Sequence, residues 1–206
     1  MAIGERYDSI LKAACEVIAR RGFHQASIRE IARSAGLSLA GLYHYVGGKD
    51  ELLFLVLDRS LDRLLSDLDE ALAEARTPEL RLLALIRTHL DFGFRHAASL
   101  KIINRDWELL SGPRRDETTA KRQSYLTRGL AVLRELDPHQ RSGDELLSAT
   151  NLLLGMLNGI ATRPFLRSRE DARTLASEVG ALFLYGFLEA TPRSADLQAA
   201  DTRRPA

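Results

Sequence analysis

Apolar residues recur at intervals of three and four along most of the chain, and no stretch alternates as a strand would, so the pattern predicts an all-α protein. Ile10, Leu11, Ala14, Val17 and Ile18 form one stripe and predict a helix over Ile3–Arg21. Ile28, Ile31, Ala32 and Ala35 share the next apolar side. Ser27 and Glu30 in front of them form an S-x-x-E capping box, and Gly36 can take the left-handed conformation that closes a helix. Leu37 is then placed inside a turn, and Ser38 caps a further helix to about Tyr45 whose apolar side continues through Leu42 and Val46. A long helix is predicted from Lys49 to about Ala75. Thr77-Pro78 restarts another that runs through Phe94, because proline is tolerated at a first helical position. Ser99–Leu110 follows, ended by Ser111-Gly112-Pro113. A polar opening, Arg114–Gln123, leads into a helix closed by Asp137-Pro138. Asp144 to about Ile160 and a last helix capped by Ser168-x-x-Asp171 and ending near Leu188 complete the set, and residues 191–206 are expected to be a disordered tail.

Two short helices joined through Gly36-Leu37, with small Ala32 at their crossing, make a helix-turn-helix. Ser38, Leu39, Ala40, Gly41, Tyr43 and His44 are left to face outward, where they can enter a major groove. Arg29 is the one long polar side chain near the start of the first of these helices on its outward side. Arginine pairs bidentately with guanine, so Arg29 is the expected base reader. Leu39, Ala40 and Gly41 offer little hydrogen bonding, which leaves contact with thymine methyls, close backbone approach and DNA shape.

The block is similar to the DNA-binding domain of the TetR family of ligand-responsive bacterial transcription regulators. The residues that carry the resemblance are Arg21-Gly22-Phe23, Ser27-x-Arg29-x-Ile31-Ala32, Ala35-Gly36-x-Ser38, Leu42-Tyr43-x-Tyr45 and Lys49-x-x-Leu52. Val46 stands where an aromatic is usual, and Gly48 where Ser, Thr or Asn usually caps the next helix. The resemblance implies that Ser27, Ser38, Tyr43, His44 and Lys49 hold phosphates. It also implies a DNA-binding domain over residues 1–48, a ligand-binding and dimerisation domain over 49–190 and a tail over 191–206. The implied function is a repressor that binds a palindromic operator as a dimer and is released by a small, partly apolar ligand. An activator, or a regulator that needs its ligand to bind DNA, carries the same motif.

Composition narrows the setting. With 206 residues, 45% of them hydrophobic, the chain can bury a sizeable core, and its net charge of +1 says nothing about a partner. The distribution says slightly more: residues 1–49 hold seven basic side chains against four acidic ones, and the remainder has a small acidic excess. No apolar run reaches the roughly 18 residues of a membrane span, and MAIGERYD is too polar for a secretory signal, so a cytoplasmic location without membrane contact is expected. The single cysteine, Cys15, excludes an intrachain disulfide and a cysteine-based zinc site. It reads as a small core residue, with a redox role as the alternative.

One reading module addresses few bases, so specific binding needs two copies on half-sites about one helical turn apart, and hence a homodimer. The last two helices are apolar on most sides, and the resemblance assigns dimerisation to them. Leu152, Met156, Ile160, Val179, Phe183 and Phe187 are the expected interface, with Gly155, Gly159, Gly180 and Gly186 permitting close approach. An ordinary monomer core would show the same apolar pattern. The ligand pocket that the resemblance places among the middle helices has His89, Phe92, Asn104, Trp107, Tyr125, Asn151, Asn158 and Phe165 as candidate lining. Leu109–Tyr125 and the GMLNGI stretch resemble members that sense acyl-CoA. Arg114, Arg115, Lys121 and Arg122 are placed to meet an anion at the mouth. No cofactor, metal site or catalytic residue is expected, since neither Glu-x-x-His spacing nor a glycine-rich phosphate loop is present. An all-helical enzyme is the remaining alternative of a different class.

Overall fold

The computed structural model describes residues 3–162 and 169–189, and every regular element among them is helical. The helices are α1 (Ile3–Arg21), α2 (Ile28–Ser34), α3 (Leu39–Tyr43), α4 (Lys49–Glu74), α5 (Pro78–Arg95), α6 (Ala97–Arg105), α7 (Gly112–Leu136), α8 (Gly143–Ala161) and α9 (Arg169–Glu189), with a 3-10 turn at Trp107–Leu109. The expected stripe of α1 is buried throughout, from Ile10 to Ile18, and α2 packs on it with Ile31 and Ala32 inward. α4, whose 26 residues span roughly 39 Å at the helical rise, carries one buried row from Leu52 to Leu72. α4 packs on α1 and on α5, α6 and α7, so it joins the N-terminal helices to the C-terminal ones. α5 lies at the centre of that second unit, against α4, α6, α7, α8 and α9. No helix among the described residues is long and apolar enough to cross a membrane.

Several ends differ from the sequence expectation, each for a local reason. The α-helix predicted over Ser99–Leu110 stops at Arg105. There the buried Asp106 carboxylate turns back to the Arg105 guanidinium at 2.7 Å, and Leu109 N–H reaches only the Asp106 carbonyl, tightening the chain into the 3-10 turn. α3 stops at Tyr43 instead of Tyr45, because Tyr45 N–H bonds three residues back to the Leu42 carbonyl at 2.9 Å. α8 begins one residue early behind a full capping box of Ser142 and Glu145 that the sequence reading passed over. Thr77 caps α5 as expected, accepting from Leu80 N–H at 3.3 Å. Ser168, Phe165 and the expected tail, 191–206, lie outside the described residues.

Candidate nucleic-acid interface and core cavity

The turn between α2 and α3 is built by backbone hydrogen bonds. Gly36, at φ +65°, sits in the left-handed region, which lets Leu37 N–H reach the Ala32 carbonyl at 2.9 Å and Gly36 N–H the Arg33 carbonyl at 3.0 Å. This is the paired closure that satisfies the last carbonyls of a helix. Arg6 of α1 donates to the Gly36 carbonyl at 3.0 Å, so the turn is held from outside as well. Ser38 then caps α3, its Oγ accepting from Gly41 N–H at 3.0 Å. Leu42 and Val46 are buried, and Ser38, Ala40, Tyr43 and His44 stand on the exposed side with Leu39 and Gly41 half-buried. Arg29 is exposed on α2, and its guanidinium has no partner among the described residues.

Two details of this head depart from the expectation. Ser27 accepts from Arg29 N–H at 3.3 Å, but Glu30 does not complete the capping box. It accepts instead from Arg20 of α1 at 2.8 Å, with Arg21 at 3.6 Å, because a charge-assisted bond to a guanidinium outcompetes one to a neutral amide. Those arginines hold the Glu30 carboxyl below its ordinary range. Lys49, expected on a phosphate, is committed to the protein: its Nζ donates to the carbonyls of Phe23 at 2.9 Å and His24 at 3.3 Å and lies 4.5 Å from the centre of the Phe23 ring. At Gly48, which has no side chain to cap α4, the Glu51 carboxylate reaches back and accepts from Gly47 N–H at 2.6 Å.

Within the C-terminal helices, a cavity of about 400 Å³ opens among α4, α5, α6, α7 and α8. It brings together six of the eight expected lining residues: His89, Asn104, Trp107, Tyr125, Asn151 and Asn158. Phe92 is buried elsewhere, its ring 5.2 Å from that of His96, where it lines a different cavity beside α1. Phe165 lies outside the described residues. Four polar groups of the cavity form one directed chain. Asn104 Nδ2 donates to Asn158 Oδ1 at 2.8 Å, and that same oxygen accepts from His89 Nε2 at 3.2 Å. His89 must therefore carry its proton on Nε2, which leaves Nδ1 to accept from the Tyr125 hydroxyl at 2.9 Å. Burial pushes the His89 imidazole down to about 4 and the Tyr125 phenol upward, so both are neutral at pH 7.

The sequence reading missed Thr119, Gln123 and Leu126 on α7, which line the cavity with Arg122. Thr119 and Gln123, four residues apart, lie in a polar segment that reads as a solvated face, and Leu126 just beyond it reads as plain helix core. Of the four basic residues expected at the mouth, Arg122 lines the cavity, stacked 4.5 Å from the Trp107 ring centre and donating to the Ile103 carbonyl at 2.7 Å. Arg115 is 5.8 Å from the same ring, while Arg114 lies over Phe54. Lys121 is drawn away to Asp58 and Asp62 of α4.

α8 and α9 each leave large apolar side chains open. Leu152, Leu182 and Tyr185 are 69%, 75% and 70% exposed, and Met156 and Leu147 are exposed to a lesser degree. Ile160 and Phe183 are half-buried. Val179 and Phe187, expected at a dimer interface, are instead buried in the protomer's own core. Gly180 explains the first: a Cβ there would stand 2.7 Å from Leu83 of α5, so α9 is seated on α5 along this side. Phe187 is held by Arg141, whose guanidinium lies 4.2 Å from its ring centre and donates to its carbonyl at 2.5 Å while pairing with Asp137. Gly155, Gly159 and Gly186 face open space.

Residues 10–56 match the family model described as bacterial regulatory proteins, tetR family, and residues 75–162 match that of the tetracyclin repressor-like C-terminal domain. The transcriptional activator FasR of Mycolicibacterium smegmatis is 40% identical over 88 residues, which is 43% of this chain and 40% of that relative, so the match spans well under half of FasR. A TetR-family transcriptional regulator from Bordetella parapertussis 12822 superposes with a TM-score of 0.82 at 25% identity, over 90% of this chain and 97% of that one. AibR, solved in complex with isovaleryl coenzyme A and operator DNA, shares the fold with a TM-score of 0.72 at 23% identity, over 89% of this chain and 97% of its own.

Proposed function

The chain belongs to the TetR family of bacterial transcription regulators, and we propose that it is a homodimeric repressor that reads a palindromic operator and releases it when a small, partly apolar ligand fills the core cavity. The observation that carries this reading is the α2–α3 head, where Arg29 and the exposed side of Ser38–His44 are presented on a frame clamped by Arg6 and Lys49. Arg29 reads a guanine, Leu39, Ala40 and Gly41 approach the bases closely, and Ser27, Ser38, Tyr43 and His44 donate to phosphates. Residues 1–48 form the reading unit and 49–190 the ligand and dimer unit. The partner surface is the open face of Leu152, Met156, Leu182 and Tyr185.

The ligand reading rests on the cavity. Its volume is near the lower end of the range for small-molecule sites, about 300 to 1,000 Å³. Asn104 Oδ1 and Asn158 Nδ2 have no partner among the described residues, which leaves an acceptor and a donor for a carbonyl-bearing ligand. A short acyl thioester, of the kind AibR binds, has that chemistry, with its anionic portion beside Arg122 at the mouth. Transmission runs through Arg105, the neighbour of Asn104, which donates to the Ile18 carbonyl of α1 at 2.9 Å. A ligand that shifts α6 therefore pulls directly on the reading unit. The coupling needed for control is only about 1 to 3 kcal/mol. A second reading, activation in place of repression, is favoured by the likeness to FasR.

Selection of bound sequences from random duplex DNA, followed by gel shift at two salt concentrations, tests the DNA reading. An inverted repeat with half-sites about one turn apart is expected. Unbiased sequences from protein with and without isovaleryl-CoA would overturn it. Trp107, the only tryptophan in the chain, lines the cavity and reports the ligand reading by its fluorescence. No change with isovaleryl-CoA removes the short-acyl assignment and leaves the DNA reading standing.

A further inference from the structure

A larger cavity, of about 710 Å³, lies apart from the His89–Tyr125 site, with α1 as one wall and α4, α5 and α6 as the others. Its floor is apolar, formed by the buried Leu11, Val56 and Phe92. Its walls carry four cationic side chains, Lys12, Arg59, Arg63 and Arg95, against the two carboxylates Asp8 and Glu16. Asp8 is already paired with Arg59, and Arg95 turns to Asp91 at 3.5 Å, which leaves Glu16 as the one carboxylate of the wall facing the rest. Lys12 and Arg63 have no hydrogen bond or ion pair among the described residues. His96, on the same wall, registers the imbalance: burial and then the charges of Arg63 and Arg95 hold its imidazole below the ordinary range, against a smaller opposing effect of Asp67. Cations gathered over an apolar floor without enough protein anions to meet them are the complement of an amphipathic acid.

We propose that this cavity is a second binding site, for a small organic acid whose anionic group lies on Arg63 and Lys12 and whose apolar body covers Leu11, Val56 and Phe92. The site is independent of the core cavity and of the ligand assigned there. Its occupant touches α1 on one side and α4–α6 on the other, so it sets the separation of the reading unit from the ligand-binding helices and adds a second input to operator binding.

The chain supplies one reporter for each cavity. Cys15, the only cysteine, lines the second cavity beside Ser99 of α6 at 3.5 Å, and Trp107, the only tryptophan, lines the first. The test follows alkylation of Cys15 by iodoacetamide in the full-length protein, with Trp107 emission recorded in the same titration. The probes are octanoate and 1-octanol, which share a chain and differ in charge. Octanoate at ten times its dissociation constant should slow alkylation roughly tenfold, since only unoccupied protein reacts, and leave Trp107 unmoved. Octanol should protect far less. Arg63→Gln with Lys12→Gln, both at exposed positions, should abolish the protection, and Arg63→Lys in an otherwise unchanged chain should keep it. Equal protection by octanol, protection that survives the double substitution, or no protection at all overturns the proposal. A response confined to Trp107 does so too, because it places the acid in the other cavity.

Discussion

The Lys49 ammonium donates to the Phe23 carbonyl at 2.9 Å and lies 4.5 Å above the centre of the same residue's ring. One side chain thereby fastens the first turn of α4 to the loop that follows α1, across the helix-turn-helix. A hydrogen bond from a charged group contributes about 1.5 to 3 kcal/mol and an exposed cation over a ring about 0.5 to 1. Lys49→Ala should therefore lower unfolding free energy by about 1 to 3 kcal/mol in a denaturant titration. Below the variant's melting temperature, the slope of operator affinity against salt should stay at the wild-type value. A slope flattened by about one ion would return Lys49 to the phosphate contacts.

Lys49 also marks where the sequence stops being legible. The backbone of the head was readable because its signals are local: Gly36 must be left-handed for Leu37 N–H to reach Ala32, and Ser38 caps over three residues. Ion-pair partners are not local. Glu30 had a backbone amide within its own turn and an arginine on another helix, and no spacing rule ranks the two. The cavity divides in the same way. Six of its lining residues were named because aromatic and amide side chains are conspicuous in apolar helices, while Thr119 and Gln123 were lost in a polar stretch. α9 is apolar on most sides, so its pattern cannot choose a face. The choice is made by Gly180 fitting Leu83 and by Arg141 covering Phe187, contacts with helices far off in sequence.

Arg29 is exposed, unpaired among the described residues and two positions into α2, and its loss should leave the fold alone. Arg29→Ala is expected to cost about 1 to 3 kcal/mol on the preferred operator and to relax base choice at one position in each half-site. Competition gel shifts with operators altered at single positions read both effects. An unchanged base preference would remove Arg29 from direct readout.

His89 ties stability to pH. Burial lowers its imidazole to about 4 in the folded protein, against about 6.5 in the unfolded chain. Between those values the unfolded state binds more protons, so stability rises with pH through this window. His89 is without penalty above about pH 6.5, and its cost grows as pH falls, reaching about 3 kcal/mol near pH 4. In His89→Gln that component should vanish, so wild-type and variant unfolding free energies should converge as pH is lowered from 7 to 4. Parallel curves over the window would show that His89 does not stay neutral in the fold.

Leu182 and Val179 lie three residues apart on α9, yet one is 75% exposed and the other is buried. The two positions therefore separate assembly from folding. Leu182→Glu places a charge on the open face and should leave the protomer's thermal melt close to wild type at dilute concentration. It should also shift the protein from dimer to monomer in sedimentation velocity. Operator binding should then fall steeply, because each half-site must be occupied separately. Val179→Ala removes buried methyl groups and should cost about 0.5 to 3 kcal/mol in protomer stability without a direct loss of the contact surface. A Leu182→Glu protein that remains dimeric would move the interface off this face of α8 and α9.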